Sequence, residues 1–101
     1  MIYTVTFNPA LDYVIHIDQL KQGEINRFSD ANIFCGGKGI NVSLVLKELK
    51  QESCALGFTA GFTGNEIEKR LTQKGIQHNF IHLDNGLSRI NIKIKSDKET
   101  E

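Results

Sequence analysis

The sequence CGGKGINV at residues 35–42 places three glycines directly before a helical pattern. Glycines let the backbone turn tightly and approach a ligand closely, and the start of a helix presents free amide groups. The loop is not of the Walker A type, because Lys38 is followed by Gly39 rather than by Ser or Thr. It is not a dinucleotide fingerprint, because Val42 stands where a third small residue belongs. The loop therefore predicts either a site for a small polar molecule or a turn that serves only close packing.

A helix is predicted after these glycines, over residues 40–50. Apolar residues recur there at helical spacing and polar residues mark the opposite side. The predicted buried face comprises Val42, Val45, Leu46 and Leu49, and the predicted exposed face comprises Ser43, Lys47 and Lys50. We therefore expect this helix to pack through its valines and leucines.

A second helix is predicted by Thr63 and Glu66, which have the spacing of a capping box. We expect the helix to end at Gly75, because glycine commonly follows the last helical residue and several cations precede it here.

Short strands are predicted around these helices. Residues 1–7 are dense in β-branched and aromatic residues and stop at Asn8-Pro9. Residues 54–58 form a short apolar run, and residues 79–83 predict another strand. Strands that alternate with helices along a chain indicate an α/β architecture with a parallel sheet.

Two further strands alternate polar and apolar residues, at residues 12–18 and 89–95. Such alternation is typical of strands with one wet face. The second runs into the hydrophilic residues 96–101, with no returning strand to pair with. We expect a single unit that ends in the middle of a hairpin.

The bulk composition indicates an ordinary globular domain. The chain has 101 residues, 40% of them hydrophobic, and twelve basic residues balance twelve acidic ones. This balance makes nucleic acid an unfavourable partner, and the apolar stretches are too short to cross a membrane. The amino terminus lacks the pattern of a signal peptide, so we expect a cytoplasmic protein.

The cysteines and histidines favour structural roles. Cys35 and Cys54 have no CxxC spacing, which predicts two reduced packing residues rather than a zinc site or a disulfide. His78 and His82 stand four apart without the Glu of HExxH, in a region predicted as strand. We expect no metal site there.

Asp12 is the first candidate binding residue. It follows the first predicted strand in NPALD, and α/β proteins bind ligands outside the carboxyl ends of their strands. A carboxylate accepts hydrogen bonds from sugar hydroxyls well. The alternative is a solvated loop acid or a turn residue.

Four motifs together resemble one enzyme family. NPALD near the start, GGKGIN before the first helix, LGFTAGFTG leading into the second and SRINIKI in an amphipathic strand occur in that order. They resemble the PfkB sugar kinases, particularly the branch of 1-phosphofructokinases and tagatose-6-phosphate kinases. The resemblance covers the whole chain.

This resemblance implies a ribokinase-like fold, an α/β core with a small β-sheet lid. Residues 1–101 would be the amino-terminal part of a single kinase domain. The lid strands would lie near residues 12–18, 28–34 and 88–95, with the sugar between core and lid.

The resemblance also implies roles for individual residues in the substrate site. Asp12, Gly37 and Asn41 correspond to residues that hold the sugar hydroxyls, and Lys38 lies beside them. Arg89 and Arg27 correspond to residues that grip the phosphate already on the substrate, a task that suits the planar fork of arginine. The alternative for Arg27 is a solvated surface charge.

One family element is absent from the sequence. PfkB kinases use an Asp in a GxGD motif as the catalytic base, with ATP and Mg²⁺ bound nearby. None of the aspartates follows a glycine; they are Asp12, Asp18, Asp30, Asp84 and Asp97. We therefore expect no catalytic or cofactor-binding residue in this chain, and no kinase activity from it alone.

The implied function is ATP-dependent phosphorylation of a ketohexose phosphate by a longer protein. Fructose 1-phosphate, giving fructose 1,6-bisphosphate, is the first expected substrate, and tagatose 6-phosphate is the second. ATP and Mg²⁺ would be bound by the carboxyl-terminal part, and a homodimer could form through the lid. The alternative is a non-catalytic module that binds a sugar phosphate or dimerises.

Overall fold

The computed structural model describes residues 1–17, 21–24 and 30–96. Within these ranges the chain forms two helices and seven strands. They are β1 (Ile2–Thr6), β2 (Ala10–Ile17), β3 (Asp30–Gly36), α1 (Lys38–Glu48), β4 (Ser53–Ala60), α2 (Gly61–Gln73), β5 (Gln77–His78), β6 (Ile81–Leu83) and β7 (Arg89–Ser96).

The core sheet is parallel, as the alternation of strands and helices predicted. β4 lies at its centre and pairs with β1 on one side, while β5 and β6 pair with its first and last residues on the other. The predicted strand at 79–83 is thus interrupted, since the amide of Asn79 donates to the carbonyl of Ala55 (2.9 Å) and Phe80 turns into the core. The core cluster comprises Leu11, Cys35, Ile40, Ala55, Ile67, Leu71, Ile76 and Phe80.

The predicted buried face of α1 was wrong for three of its four residues, while Leu46 is half-buried. Ser43 is fully buried, whereas Val42, Val45 and Leu49 are 49%, 57% and 64% exposed. The Ser43 hydroxyl lies 2.7 Å from that of Thr4 and accepts a hydrogen bond from Ser53 (2.9 Å). The helix therefore meets the sheet through a cluster of mutually bonded hydroxyls, which satisfies polar groups that would otherwise be costly to bury.

The predicted capping box of α2 was also wrong. The helix begins at Gly61 with Ala60 as its N-cap, and no side chain caps it. Thr63 instead donates to the carbonyl of Ser88 (2.7 Å), and Glu66 accepts from Arg70 (2.7 Å). The Thr63 hydroxyl therefore bonds a residue distant in the chain and does not cap its own helix.

The predicted end of α2 at Gly75 is confirmed. Gly75 has φ of 76°, a left-handed conformation that glycine adopts without strain. Its amide donates to Thr72 and that of Ile76 to Leu71, both at 3.0 Å, which closes the helix with a Schellman motif.

The second sheet contains three strands in the order β3-β2-β7. β2 pairs with β3 in antiparallel and with β7 in parallel orientation. The sequence predicted strands near 12–18, 28–34 and 88–95; residues 18, 28 and 29 lie outside the described residues. One face is apolar and reaches the core through Leu11 and Cys35, and the other carries most of the polar side chains.

No helix in the described ranges is long and apolar enough to cross a membrane. Both cysteines are free thiols, with Cys35 buried and Cys54 half-buried.

Candidate functional site

The candidate site lies where the core sheet meets the second sheet. Asp12 of β2 stands in register with Phe34 of β3 and Asn91 of β7, so these side chains share the polar face. The Asn91 Nδ2 donates a hydrogen bond to the Asp12 Oδ1 (2.9 Å). The sequence-predicted carboxylate is thus placed on the sheet and held by a neighbour that sequence reasoning did not single out.

The other side of the Asp12 carboxylate rests on Gly36. A Cβ added at Gly36 would lie 2.5 Å from the Asp12 Oδ2, closer than real Cβ contacts allow. Only a glycine fits there without moving the carboxylate. The first glycine of the predicted loop therefore makes room for Asp12.

The rest of the glycine turn packs against the end of β1. Gly37 has φ of 132° and is the N-cap of α1. A Cβ at Gly39 would lie 2.5 Å from both the Val5 carbonyl oxygen and the Thr6 Oγ1, so that helical turn sits directly on the strand. The Thr6 Oγ1 also accepts a hydrogen bond from the Ile40 amide (3.0 Å), and so caps the helix from a neighbouring strand.

Lys38 and Asn41 stand on the outside of this first turn. Both are exposed, and their spacing of three residues places them on the same side of the helix. The backbone N–H of Asn41 donates to the carbonyl of Gly37 (2.9 Å), which closes the first helical turn. A lysine and an asparagine therefore stand in the first turn after Gly36, the glycine that lies against Asp12.

Arg89 begins β7, two residues before Asn91 and on the same face. It is exposed, and it pairs in register with Ala10. Arg27 lies outside the described residues. The structure thus brings Asp12, the glycine turn and one arginine into neighbouring positions.

The backbone before Arg89 is anchored by Ser88, which is only 6% exposed. The Ser88 Oγ accepts from the Ala60 amide (3.0 Å), and the Ser88 amide donates to the Ala60 carbonyl (2.9 Å). The Thr63 hydroxyl bonds the Ser88 carbonyl as described above. These bonds tie the start of β7 to the start of α2, a tertiary link that the sequence analysis did not predict.

Cys35 packs on the opposite face of β3 from Gly36. Burial raises the pKa of the Cys35 thiol, outweighing the Arg70 and Lys74 cations, which lower it. The Sγ lies 3.7 Å from the Ile67 carbonyl oxygen, to which it donates weakly. This environment is that of a protonated packing residue.

A separate polar network lies along α2. The carboxylate of Glu68 accepts from Thr59 Oγ1 (2.8 Å) and lies 2.6 Å from His82 Nε2, while His78 Nδ1 is 3.9 Å away. Among the described residues no group of three or more His, Cys, Asp and Glu side chains is arranged to hold a metal ion.

Comparison with known proteins defines the class. The family described as pfkB family carbohydrate kinase matches residues 5–101, and the chain belongs to it. The ribokinase-like α/β fold class predicted from the sequence is therefore confirmed.

Curated relatives are similar over the entire chain. The 1-phosphofructokinase of Bacillus subtilis is 46% identical over 101 residues, which is 100% of this chain and 33% of the relative. The D-tagatose-1-phosphate kinase of Bacillus licheniformis is 44% identical over 99 residues, 98% of this chain and 32% of the relative. The chain therefore spans about a third of the length of the curated relatives that it matches.

Solved structures share the fold. A Staphylococcus aureus protein, described provisionally as a phosphofructokinase, has a TM-score of 0.90 and 53% identity over 99% of this chain and 32% of its own. The phosphofructokinase-2 of Escherichia coli in complex with fructose-6-phosphate has a TM-score of 0.85 over 95% of this chain and 31% of its own. At 24% identity, the second likeness concerns the fold alone.

Proposed function

We propose that the complete protein is an ATP-dependent sugar-phosphate kinase that converts fructose 1-phosphate into fructose 1,6-bisphosphate. The observation that carries this proposal is the Asp12 carboxylate, held by Asn91 and seated on Gly36 beside the glycine turn. A fixed carboxylate next to a helix start is suited to a polyhydroxylated, anionic ligand. Membership in the carbohydrate kinase family supports the same reading.

The proposed ligand contacts follow from this arrangement. Asp12, Gly37 and Asn41 would bind the sugar hydroxyls, with Lys38 beside them. Arg89 would bind the phosphate that the substrate already carries, because a guanidinium can bond two phosphate oxygens at once. We propose Arg27 as a second phosphate ligand on the family resemblance alone.

ATP and Mg²⁺ are assigned to the carboxyl-terminal part of the protein. Relatives of this chain are about three times as long, since it covers 33% of the first of them. The described residues supply neither a GxGD base nor a carboxylate cluster for the metal. The proposed task of the residues of this chain is to bind and orient the acceptor.

We also propose that the remainder of the domain covers the outer face of the core sheet. That face carries large apolar side chains with high exposure, namely Tyr3 (62%), Val5 (53%), Phe7 (74%) and Phe58 (37%). Monomeric proteins rarely leave a contiguous apolar patch of this kind uncovered. Residues 1–101 would then be the amino-terminal part of one kinase domain, and the β3-β2-β7 sheet would be its lid.

A coupled assay for ADP release with the complete protein tests the proposed activity. We expect the highest kcat/KM with fructose 1-phosphate among fructose 1-phosphate, fructose 6-phosphate, tagatose 1-phosphate, tagatose 6-phosphate and free fructose. A clear preference for a tagatose phosphate would correct the substrate, and no turnover of any phosphorylated ketohexose would overturn the proposal.

One observation favours a second role, dimerisation through the lid. Ile90, Ile92 and Ile94 are 46%, 63% and 53% exposed on one face of β7. Sedimentation of the complete protein should give a dimer, and Ile92→Lys should shift it toward monomer. A wild-type monomer at micromolar concentration would contradict this role.

A further inference from the structure

Asn91 makes the side-chain contact that fixes the candidate sugar-binding carboxylate. Its Nδ2 lies 2.9 Å from the Asp12 Oδ1, a distance typical of a good hydrogen bond, although the two residues are 79 positions apart in the chain. The bond joins residues in direct register on parallel strands, so the backbone ladder of β2 and β7 holds both ends. It is therefore built into the sheet.

The two carboxylate oxygens of Asp12 have different neighbours. Oδ1 is used by Asn91, whereas Oδ2 lies over Gly36, where an added Cβ would approach it to 2.5 Å. Gly36 directly precedes Gly37, the N-cap of α1. The second oxygen of Asp12 is thus the one nearest the glycine turn.

We infer that Asn91 is a positioning residue, whose amide holds the Asp12 carboxylate in the orientation that accepts a hydroxyl of the sugar. The inference rests on the proposed function, in which Asp12 binds a hydroxyl of the sugar. An amide is suited to this task because it donates to the carboxylate without neutralising its charge, as a lysine or arginine would. Without this bond only the packing on Gly36 would orient the Asp12 carboxylate, and a misplacement of about 1 Å can cost about 100-fold in rate.

The effect should concern the sugar and not the nucleotide. In the complete protein, Asn91→Ala and Asn91→Leu should lower kcat/KM for the sugar phosphate by about 10- to 100-fold. The KM for ATP should remain within about twofold of the wild type, because Asn91 acts only on the sugar site. General damage to the fold would instead impair the use of both substrates. Lys93→Ala is the matched control, because Lys93 is exposed on the same face of the same strand.

A double-mutant cycle with Asp12 distinguishes positioning from an independent role. If Asn91 acts through Asp12, Asn91→Ala should cause little further loss in the Asp12→Ala background. Additive losses in the double variant would overturn the inference, because Asn91 would then contribute without the carboxylate. Asn91→Asp offers a variant of nearly the same size and shape, in case the smaller side chains fail to fold, and it should lose acceptor kcat/KM at least as strongly.

The outcomes also separate this inference from the proposed function. An active wild type whose Asn91 variants keep normal acceptor kinetics would overturn the role of Asn91 alone. A folded wild type that neither binds nor phosphorylates any sugar phosphate would overturn the proposed function and the role of Asn91 with it.

Discussion

Replacing Arg89 with alanine should remove phosphate recognition without damaging the fold. Arg89 is exposed, and a substitution at such a position usually changes stability by about 0.5 kcal/mol or less. The residue before it carries the anchoring, because buried Ser88 keeps its bonds to Ala60 and Thr63 when the arginine side chain is truncated. The melting temperature of Arg89→Ala should therefore stay within about 2 °C of the wild type.

The expected loss in catalysis follows from the number of bonds that a guanidinium can make. Two parallel hydrogen bonds from Arg89 to phosphate oxygens would each contribute about 1.5 to 3 kcal/mol. Their losses are not additive, so we expect about 2 to 4 kcal/mol, or about 30- to 1,000-fold in kcat/KM. Arg89→Lys should restore only part of this loss, since an ammonium group lacks the planar fork.

The assay compares substrates with and without a phosphate. Kinetics of the complete protein on fructose 1-phosphate and free fructose should show a selective loss on the phosphorylated sugar, because free fructose offers no anion to Arg89. Lys93→Ala, two positions beyond Asn91 on the same strand, should leave both activities near the wild-type values. A parallel fall on both sugars in Arg89→Ala would refute the assignment of this residue to the phosphate.

Other substitutions test the site and its support. Asp12→Ala should raise the KM for the sugar phosphate at least tenfold with little change in that for ATP; an equal rise for ATP would contradict its role. Gly39→Ala should lower the free energy of unfolding by about 1 to 3 kcal/mol, because its Cβ would meet the Val5 carbonyl oxygen at 2.5 Å. Ser43→Ala should cost a similar amount, since it removes the shared partner of two buried hydroxyls; denaturant melts measure both. Iodoacetamide at pH 8 should modify Cys35 far more slowly in the native protein than in urea, because burial raises the pKa of the thiol; equal rates would show an accessible thiolate.

The parts of the fold that local chemistry determines could be predicted from the sequence. The end of α2 could be predicted because it depends only on the left-handed backbone conformation of Gly75, which glycine adopts readily. The alternation of short strands with two helical patterns indicated a parallel sheet because a crossover helix leads to few other topologies. These features depend on residues close together in the chain.

The parts that depend on distant partners could not be predicted. Apolar residues occur on more than one side of α1, so periodicity alone could not choose the side that meets the sheet. Ser43 is buried because Thr4 and Ser53 satisfy its hydroxyl, and they lie 39 and 10 positions away. Thr63 fails as a local cap for the same reason, since its partner Ser88 is 25 positions away.

The candidate site shows the same division between local and distant information. The local sequence around Asp12 and around the glycine turn predicts ligand-binding residues. Arg89 was predicted as a phosphate ligand only from the family resemblance. Asn91 lies on the predicted polar face of an alternating strand. Alternation predicts the face on which a side chain lies, but it does not predict which residue of the neighbouring strand lies beside it. Only the parallel register of β7 with β2 shows that Asn91 faces Asp12.

The site residues lie close to the places where the chain passes between the two sheets. The first passage, after β1, is followed by Asp12; the second leads from β3 through Gly37 into α1; the third joins β6 to β7 at Arg89. At the third passage the backbone is pinned to the start of α2 by the bonds of Ser88. Asp12 and Arg89 belong to the second sheet, whereas Lys38 and Asn41 lie on α1, whose first turn packs on β1 of the core sheet. The relative placement of the two sheets therefore sets the distance between these two groups of proposed sugar-phosphate ligands. Substitution of Ser88 or Thr63, neither of which is itself a proposed ligand, should therefore raise the KM for the sugar phosphate through the position of Arg89.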